Sequence, residues 1–182
     1  MATDLVWSKG HKNIVAIAAG VSMDQEERSQ GYCASMRHLG GTAHVIWTLP
    51  PGTQARPPGV ADRPSIAEAT ELAITISGTT AILVLSSNAV PDVMGVLYAK
   101  GRTPGKDISI VVMGCWDWMH KVAFPPISHC VLPYYEAGKR AATLFLALEH
   151  ETVSPWERAV VIPPRLDAFH CLDGGTLACV SV

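Results

Sequence analysis

The sequence predicts an α/β domain built on a parallel sheet with helices on both faces, a three-layer αβα sandwich. Short, wholly apolar runs alternate with longer segments of helical period. The runs lack polar/apolar alternation, so their strands are buried on both sides, as in parallel sheets covered by helices. Of the 182 residues, 48% are hydrophobic and 16% charged, against a usual charged share of about 25%. That composition supports a sizeable core and excludes a disordered charged tail.

Asn13 to Ala19 reads as the first buried strand. Asp24 to Leu39 reads as a helix: Tyr32, Met36 and Leu39 share a face, and Asp24, Glu26 and Glu27 sit where the helix dipole favours acids. Gly40-Gly41 ends it, and Ala43 to Thr48 is the second strand, with Trp47 assigned to the core. Leu49 to Arg63 is proline-rich and reads as an extended loop. Pro64-Ser65 opens a helix to about Ser77, with Ile66, Ala69, Ala73 and Ile76 on one stripe. Ala81 to Leu85 is the third strand, and Asn88 to Lys100 is a helix that tolerates Pro91 in its first turn. Ser109 to Met113 is the fourth strand. After the elbow Phe124-Pro125-Pro126-Ile127 come a short strand, Ser128 to Leu132, and a long helix, Tyr134 to Glu149, with Ala137, Ala141, Leu144 and Leu148 on one face. Arg158 to Phe169 gives one or two closing strands.

The net charge is -2 and no basic run appears, so the chain by itself is not expected to bind duplex DNA. No stretch reaches the roughly 18 apolar residues of a membrane span. Lys9 and Lys12 ahead of Ile14–Ala19 only faintly imitate a secretory leader, because the apolar part is short. Five cysteines without a C-x-x-C pair read as reduced thiols in a cytoplasmic protein.

In an open parallel sheet, ligands bind beyond the carboxyl ends of the strands. Four segments lie there: Gly20 to Arg28, Thr48 to Arg63, Ser86 to Pro91 and Gly114 to His120. None is a phosphate-binding glycine motif. Arg28, one turn into its helix, is either a guanidinium holding a hydroxyl or carboxylate with two donors, or a surface arginine paired with a neighbouring acid. Ser86 and Ser87 are helix-capping residues or ligand contacts. Trp116, Asp117 and Trp118 could stack on and hydrogen-bond a sugar-like ring, or form an interface or a packed loop. The seven histidines, His120 and His129 included, show no metal-ligand spacing. Cys115 lies nearest to an Asp117/His120 pair, but no nucleophile–base constellation is formed, so neither a catalytic residue, a cofactor nor an enzyme is expected.

Six segments in one order resemble the effector-binding core of the LacI/GalR (lac repressor) family of bacterial transcription regulators. Lys9-Gly10-His11-Lys12-Asn13-Ile14 is similar to the family's L-G-H-R-R-I, and Glu27-Arg28-Ser29-Gln30-Gly31-Tyr32 to its R-x-x-G-F. Thr80-Ala81-Ile82-Leu83-Val84 through Lys100-Gly101 resembles T-A-I-F-x-x-N-D…R-G, and Asp107-Ile108-Ser109-Ile110-Val111 resembles D-V-S-V-V. Pro125-Pro126-Ile127-Ser128 with Tyr134–Ala142 resembles P-P-L-T-T…Y-E-M-G-R-R-A-A, and Val161–Leu166 the last strands.

The resemblance covers about Gly10 to Ala168. It implies a periplasmic-binding-protein-like type I fold, mainly its C-terminal lobe. Residues 1–132 would be the effector-binding core, 133–150 a helix that in the family returns to the N-terminal lobe, and 151–182 closing strands and tail. The family's helix-turn-helix has no counterpart in this sequence, so DNA contact would need a segment not present here. The resemblance further implies a small, sugar-like effector, a homodimer and no membrane partner. Of the family's polar ligand contacts only Arg28 is matched. The Asn-Asp pair falls on Ser86-Ser87, and G-[FY]-D-[DN] falls on Val112–Cys115, with Asp117 a few residues beyond. The competing readings are a free solute-binding protein and an α/β enzyme.

Overall fold

The computed structural model describes residues 1–50, 63–115, 125–149 and 160–167. Its elements are α1 (Ala2–Ser8), β1 (Ile14–Ala19), α2 (Met23–His38), β2 (His44–Thr48), α3 (Ile66–Thr75), β3 (Ala81–Val84), a 3₁₀ turn (Ser87–Ala89), α4 (Val90–Ala99), β4 (Ser109–Cys115), β5 (Ser128–Val131), α5 (Tyr134–Glu149) and β6 (Arg165–Asp167). The strands form one sheet in the order β2-β1-β3-β4-β5-β6. All neighbours are parallel except β6, which runs antiparallel to β5. The predicted three-layer arrangement is therefore present.

Alternate residues of each apolar strand feed two cores. Val15, Ile17, Ile82, Val84, Ile110 and Val112 pack against α3 and α4 through Ala69, Ala73, Val93 and Leu97. Ile14, Ala16, Ala18, Leu83 and Val111 face the other way, against Val6 of α1 and Tyr32 and Met36 of α2. Each such side chain, fully buried, contributes about 1.5–3 kcal/mol if large. Ala16 and Ala18 keep that face of β1 low. The Tyr32 hydroxyl donates to the Ile14 carbonyl at 2.6 Å and accepts from the His44 N–H at 3.1 Å, tying α2 to β1 and β2.

Local chemistry sets the boundaries. Ser65 and Glu68 form a reciprocal capping box at the start of α3. After α2, Gly40 takes φ 76° while the Gly41 N–H reaches back to the Met36 carbonyl and the Gly40 N–H to Arg37, a Schellman ending. Trp7 of α1 closes on Gly41, where a Cβ would sit 2.6 Å from the indole.

Several expectations are corrected. The chain opens with α1, which periodicity did not reveal. Trp47 does pack against the core on the α1/α2 face, but it is half-buried because β2 is an edge strand. Asn88 lies in the 3₁₀ turn and the α-helix begins at Val90, so Pro91 still falls in its first turn. Most of the loop predicted over Leu49 to Arg63 lies outside the described residues, as does the part of Arg158 to Phe169 outside 160–167.

The two ends of the sheet differ. At the amino end, His11 is buried with Nδ1 hydrogen-bonded to Thr80 Oγ1 and Nε2 to Ser109 Oγ, both at 2.9 Å. One imidazole thereby clasps the chain ahead of β1 to the starts of β3 and β4. At the carboxyl end the chain leaves β1 for β2 on one side and β3 for β4 on the other. The crevice between β1 and β3 is the switch point where α/β sheets bind ligands.

A polar rim at the carboxyl ends of β1, β3 and β4

Two residues of α2 bridge this crevice. Gln25, only 3% exposed, accepts from the Ala19 N–H at the end of β1 through Oε1 at 3.2 Å. Its Nε2 donates to the Leu85 carbonyl, just past β3, at 3.0 Å. One turn on, Arg28 Nη1 donates to the same carbonyl at 2.6 Å. Nη2 pairs with Asp24 Oδ2 at 3.2 Å. The Arg28 side chain is 20% exposed and that of Asp24 54%, so Arg28 is anchored in the rim and its acid partner is largely in water. The hydrogen bond from the Ser22 hydroxyl, and then the Arg28 charge, hold the Asp24 carboxyl below its ordinary pKa against the opposing effect of burial.

The third wall is Gly114, near the end of β4. It has φ 69°, and a Cβ there would lie 2.8 Å from both Nη atoms and 2.9 Å from Cζ of Arg28. The guanidinium thus fills the space that a side chain at 114 would need. A side chain at 114 would lift Arg28 from this seat.

Ser86 is half-buried in extended conformation and makes no side-chain cap to the 3₁₀ turn. Ser87 is 6% exposed. None of the hydrogen bonds among the described residues uses either hydroxyl, so the expected capping role is not filled by these side chains. The structure thus brings Arg28, Ser86 and Ser87 to one rim, and the acid pairing of Arg28, with Asp24, is present. Trp116, Asp117 and His120 lie outside the described residues, as does the side chain of Cys115.

Sequence reasoning missed Gln25, whose polarity on the buried face of α2 hid it from a search for apolar period. It also missed a groove of about 700 Å³ between α2 and edge strand β2, lined among others by Glu26, Gln30, Cys33, Arg37 and Trp47. The half-exposed Trp47 was its only trace in the sequence. The groove lies on the flank of the sheet, away from the crevice.

The described residues contain no cluster of three or more metal-ligating side chains. His129 is buried on β5, with Nδ1 hydrogen-bonded to the Ile127 carbonyl at 2.8 Å and Nε2 3.8 Å from Asp167 Oδ2. Burial pushes the Cys130 thiol up to about 11, so it stays protonated at neutral pH.

A doubly wound α/β domain with a polar crevice at its switch point has the form of a ligand-binding lobe. The chain matches the periplasmic binding protein-like domain over residues 3–168 and belongs to that family. No curated protein matches it at a significant level. Its fold is shared with LacI-family transcriptional regulators. One from Bifidobacterium animalis subsp. lactis has 22% identity and a TM-score of 0.76, over 96% of this chain and 62% of that one. One from Chloroflexus aggregans has 22% identity and a TM-score of 0.73, over 91% and 57%. One from Arthrobacter, solved in complex with lactose, has 18% identity and a TM-score of 0.71, over 92% and 60%. The chain therefore spans less than two thirds of the length of each of these regulators. No helix among the described residues is long and apolar enough to cross a membrane.

Proposed function

We propose that the chain is the effector-sensing lobe of a LacI-type transcription regulator and that it binds a small polar, sugar-like molecule at the crevice between β1 and β3. The observation that carries this reading is Arg28. It crosses the rim at the switch point with part of its N–H edge unspent, beside the unengaged hydroxyls of Ser86 and Ser87. The lactose bound to the Arthrobacter regulator is in keeping with a sugar-like effector. By sequence position the reading also assigns ligand contacts to Trp116 and Asp117. Residues 1–132 form the binding core, 133–150 an accessory helix, and 151–182 the closing segment. The protein works in the cytoplasm without an enzymatic step, and operator DNA is read by a helix-turn-helix outside this sequence.

The same reading includes a homodimer. Helix α5 has no buried residue, and Tyr135, Phe145 and Leu146 are exposed on it. An apolar surface of that kind on a soluble domain marks an interaction face.

Titration calorimetry against pentoses, hexoses, nucleosides and small acids tests the sensing role. Hydrogen bonds to a charged group are each worth roughly 1.5–3 kcal/mol. Arg28→Ala should therefore weaken whatever binds by about tenfold to a few hundredfold, with little change in thermal midpoint. Binding indifferent to Arg28→Ala places the pocket elsewhere, and a panel without a binder removes the sensing role from this chain.

A further inference from the structure

Strand β2 closes one side of the sheet and pairs with β1 alone. Its register shows which of its backbone groups face out. The Leu85 N–H donates to the Ile17 carbonyl at 2.9 Å, so the backbone of Ile17 faces β3. Backbone direction alternates along a strand, so Ala16 and Ala18 face β2. Opposite them in register stand Val45 and Trp47. The ladder bonds therefore go to His44, Ile46 and Thr48, and the N–H and C=O groups of Val45 and Trp47 point away from the sheet. Among the described residues none of these groups is hydrogen-bonded. Sheet edges are commonly protected by lysine, proline or a bulge. His44–Thr48 has none of these, and Val45, Ile46, Trp47 and Thr48 are all strong strand formers.

The side chains of Val45 and Trp47 line the flank groove, which opens to solvent along exposed Glu26, Gln30, Ala34 and Arg37. Helix α2 runs back along β1, so Glu26 stands at the Trp47 end of the groove and Arg37 at the Val45 end. The Glu26 carboxylate has no partner among the described residues, and Arg37 spends only Nε, on the Cys33 carbonyl at 3.3 Å. Arg63 is stacked over the Trp47 ring, 5.7 Å from its centroid.

This edge is complementary to itself. A twofold axis through Ile46 sets Val45 against the partner's Trp47 and Trp47 against the partner's Val45. In an antiparallel ladder each such pair exchanges both of its backbone hydrogen bonds. Each also places an aromatic side chain beside a β-branched one, a favourable cross-strand combination. The same axis lays the α2 helices antiparallel, with Arg37 beside the partner's Glu26 and Glu26 beside the partner's Arg37. An unrelated strand would satisfy the backbone alone, whereas a second copy satisfies the backbone, the side chains and both charges at once. We propose that the β2 edge is a self-association surface occupied by the β2 edge of a second copy, which joins the two sheets into one across a twofold axis at Ile46. The contact is separate from the exposed face of α5 and does not depend on the effector-binding reading.

The test uses the full chain carrying Phe145→Glu, an exposed change that removes α5 as a source of association. Sedimentation velocity across micromolar concentrations is expected to show a reversible dimer. Val45→Pro deletes an outward N–H and no bond to β1, a change that edge strands tolerate. It should weaken the dimer about tenfold or more, since the axis doubles each lost hydrogen bond. Glu26→Arg and Arg37→Glu should each weaken it about threefold to thirtyfold, more at low salt than at high. The two reversals combined should recover most of the loss, a rescue that a general structural fault does not give. Ile46→Cys places two thiols at a non-hydrogen-bonded antiparallel pair, whose Cα atoms lie about 4.5 Å apart, within disulfide range. Oxidised glutathione should then yield a 46–46 cross-link, identified by mass spectrometry and so told apart from links through the native thiols. Should Val45→Pro fail to fold, the charge reversals, made at exposed positions, decide in its place. A monomer at every concentration, a dimer indifferent to the charge reversals, or a dimer that forms no 46–46 cross-link overturns the proposal.

Discussion

The same three parallel strands, β1, β3 and β4, end in opposite ways. At their amino ends His11 spends both ring nitrogens on Thr80 and Ser109 in a buried clasp. At their carboxyl ends Gln25 is likewise buried and spent, but Arg28 one turn further along is partly exposed and holds donors in reserve. The difference lies in hydrogen-bonding capacity more than in residue type. A polar group whose partners are all internal fixes the fold, and one with capacity left over at a solvent-facing rim can take a ligand. The two ends should therefore respond differently to substitution.

The largest stability effect belongs to the clasp. His11→Ala removes a buried side chain together with its hydrogen bonds to Thr80 and Ser109, each worth roughly 0.5–1.5 kcal/mol. Denaturant titration should show a loss of about 3 kcal/mol. A loss as small as that of Arg28→Ala would erase the distinction between the ends.

Next comes Tyr32, which anchors α2 beneath the rim. Burial pushes its phenol up to about 12 from its ordinary value of 10.0. A raised folded-state pKa means that the stabilisation is complete below the unfolded value and disappears as pH climbs from about 10 towards 12, by roughly 2 kcal/mol. Cys130, pushed up to about 11 by burial, adds a loss of the same sign from a lower pH. Unfolding measured between pH 9 and about 12 should show this decline, and Tyr32→Phe should flatten most of it at the expense of its two hydrogen bonds. An unchanged slope would mean that the phenol is not buried as described.

The smallest effect is a cap remote from both ends. Ser65→Ala removes one half of the α3 capping box and should cost about 1 kcal/mol. Ligand binding should be untouched, which makes this variant a control for non-specific loosening.

The sheet was largely legible in the sequence because its strands are unbroken apolar runs, and β1 to β5 fall within a residue or two of where those runs place them. Helix α2 was found from Tyr32 and Met36, while its equally buried Gln25 and Ser29 were not. Polar groups satisfied by backbone partners break an apolar pattern without breaking the packing. The clasp was illegible for another reason: His11 meets partners 69 and 98 residues away, and no local spacing records such a contact. Arg28 could be placed because its motif and its position just after β1 are both local. Its seat on Gly114 could not, since it depends on the order of β1, β3 and β4 in the sheet. Helix α1 is seven residues long with a weak apolar period, so only its packing against α2 and β4 defines it.

The most direct test of the account is amide hydrogen exchange with and without the tightest-binding probe from the calorimetric panel. Protection should appear over Gly20–Arg28 and Leu85–Val90, with His11–Ile14 unchanged, because the clasp is already closed. Protection concentrated instead over Cys33–Arg37 and Val45–Trp47 would put the ligand in the flank groove and contradict the assignment of the rim as the binding site.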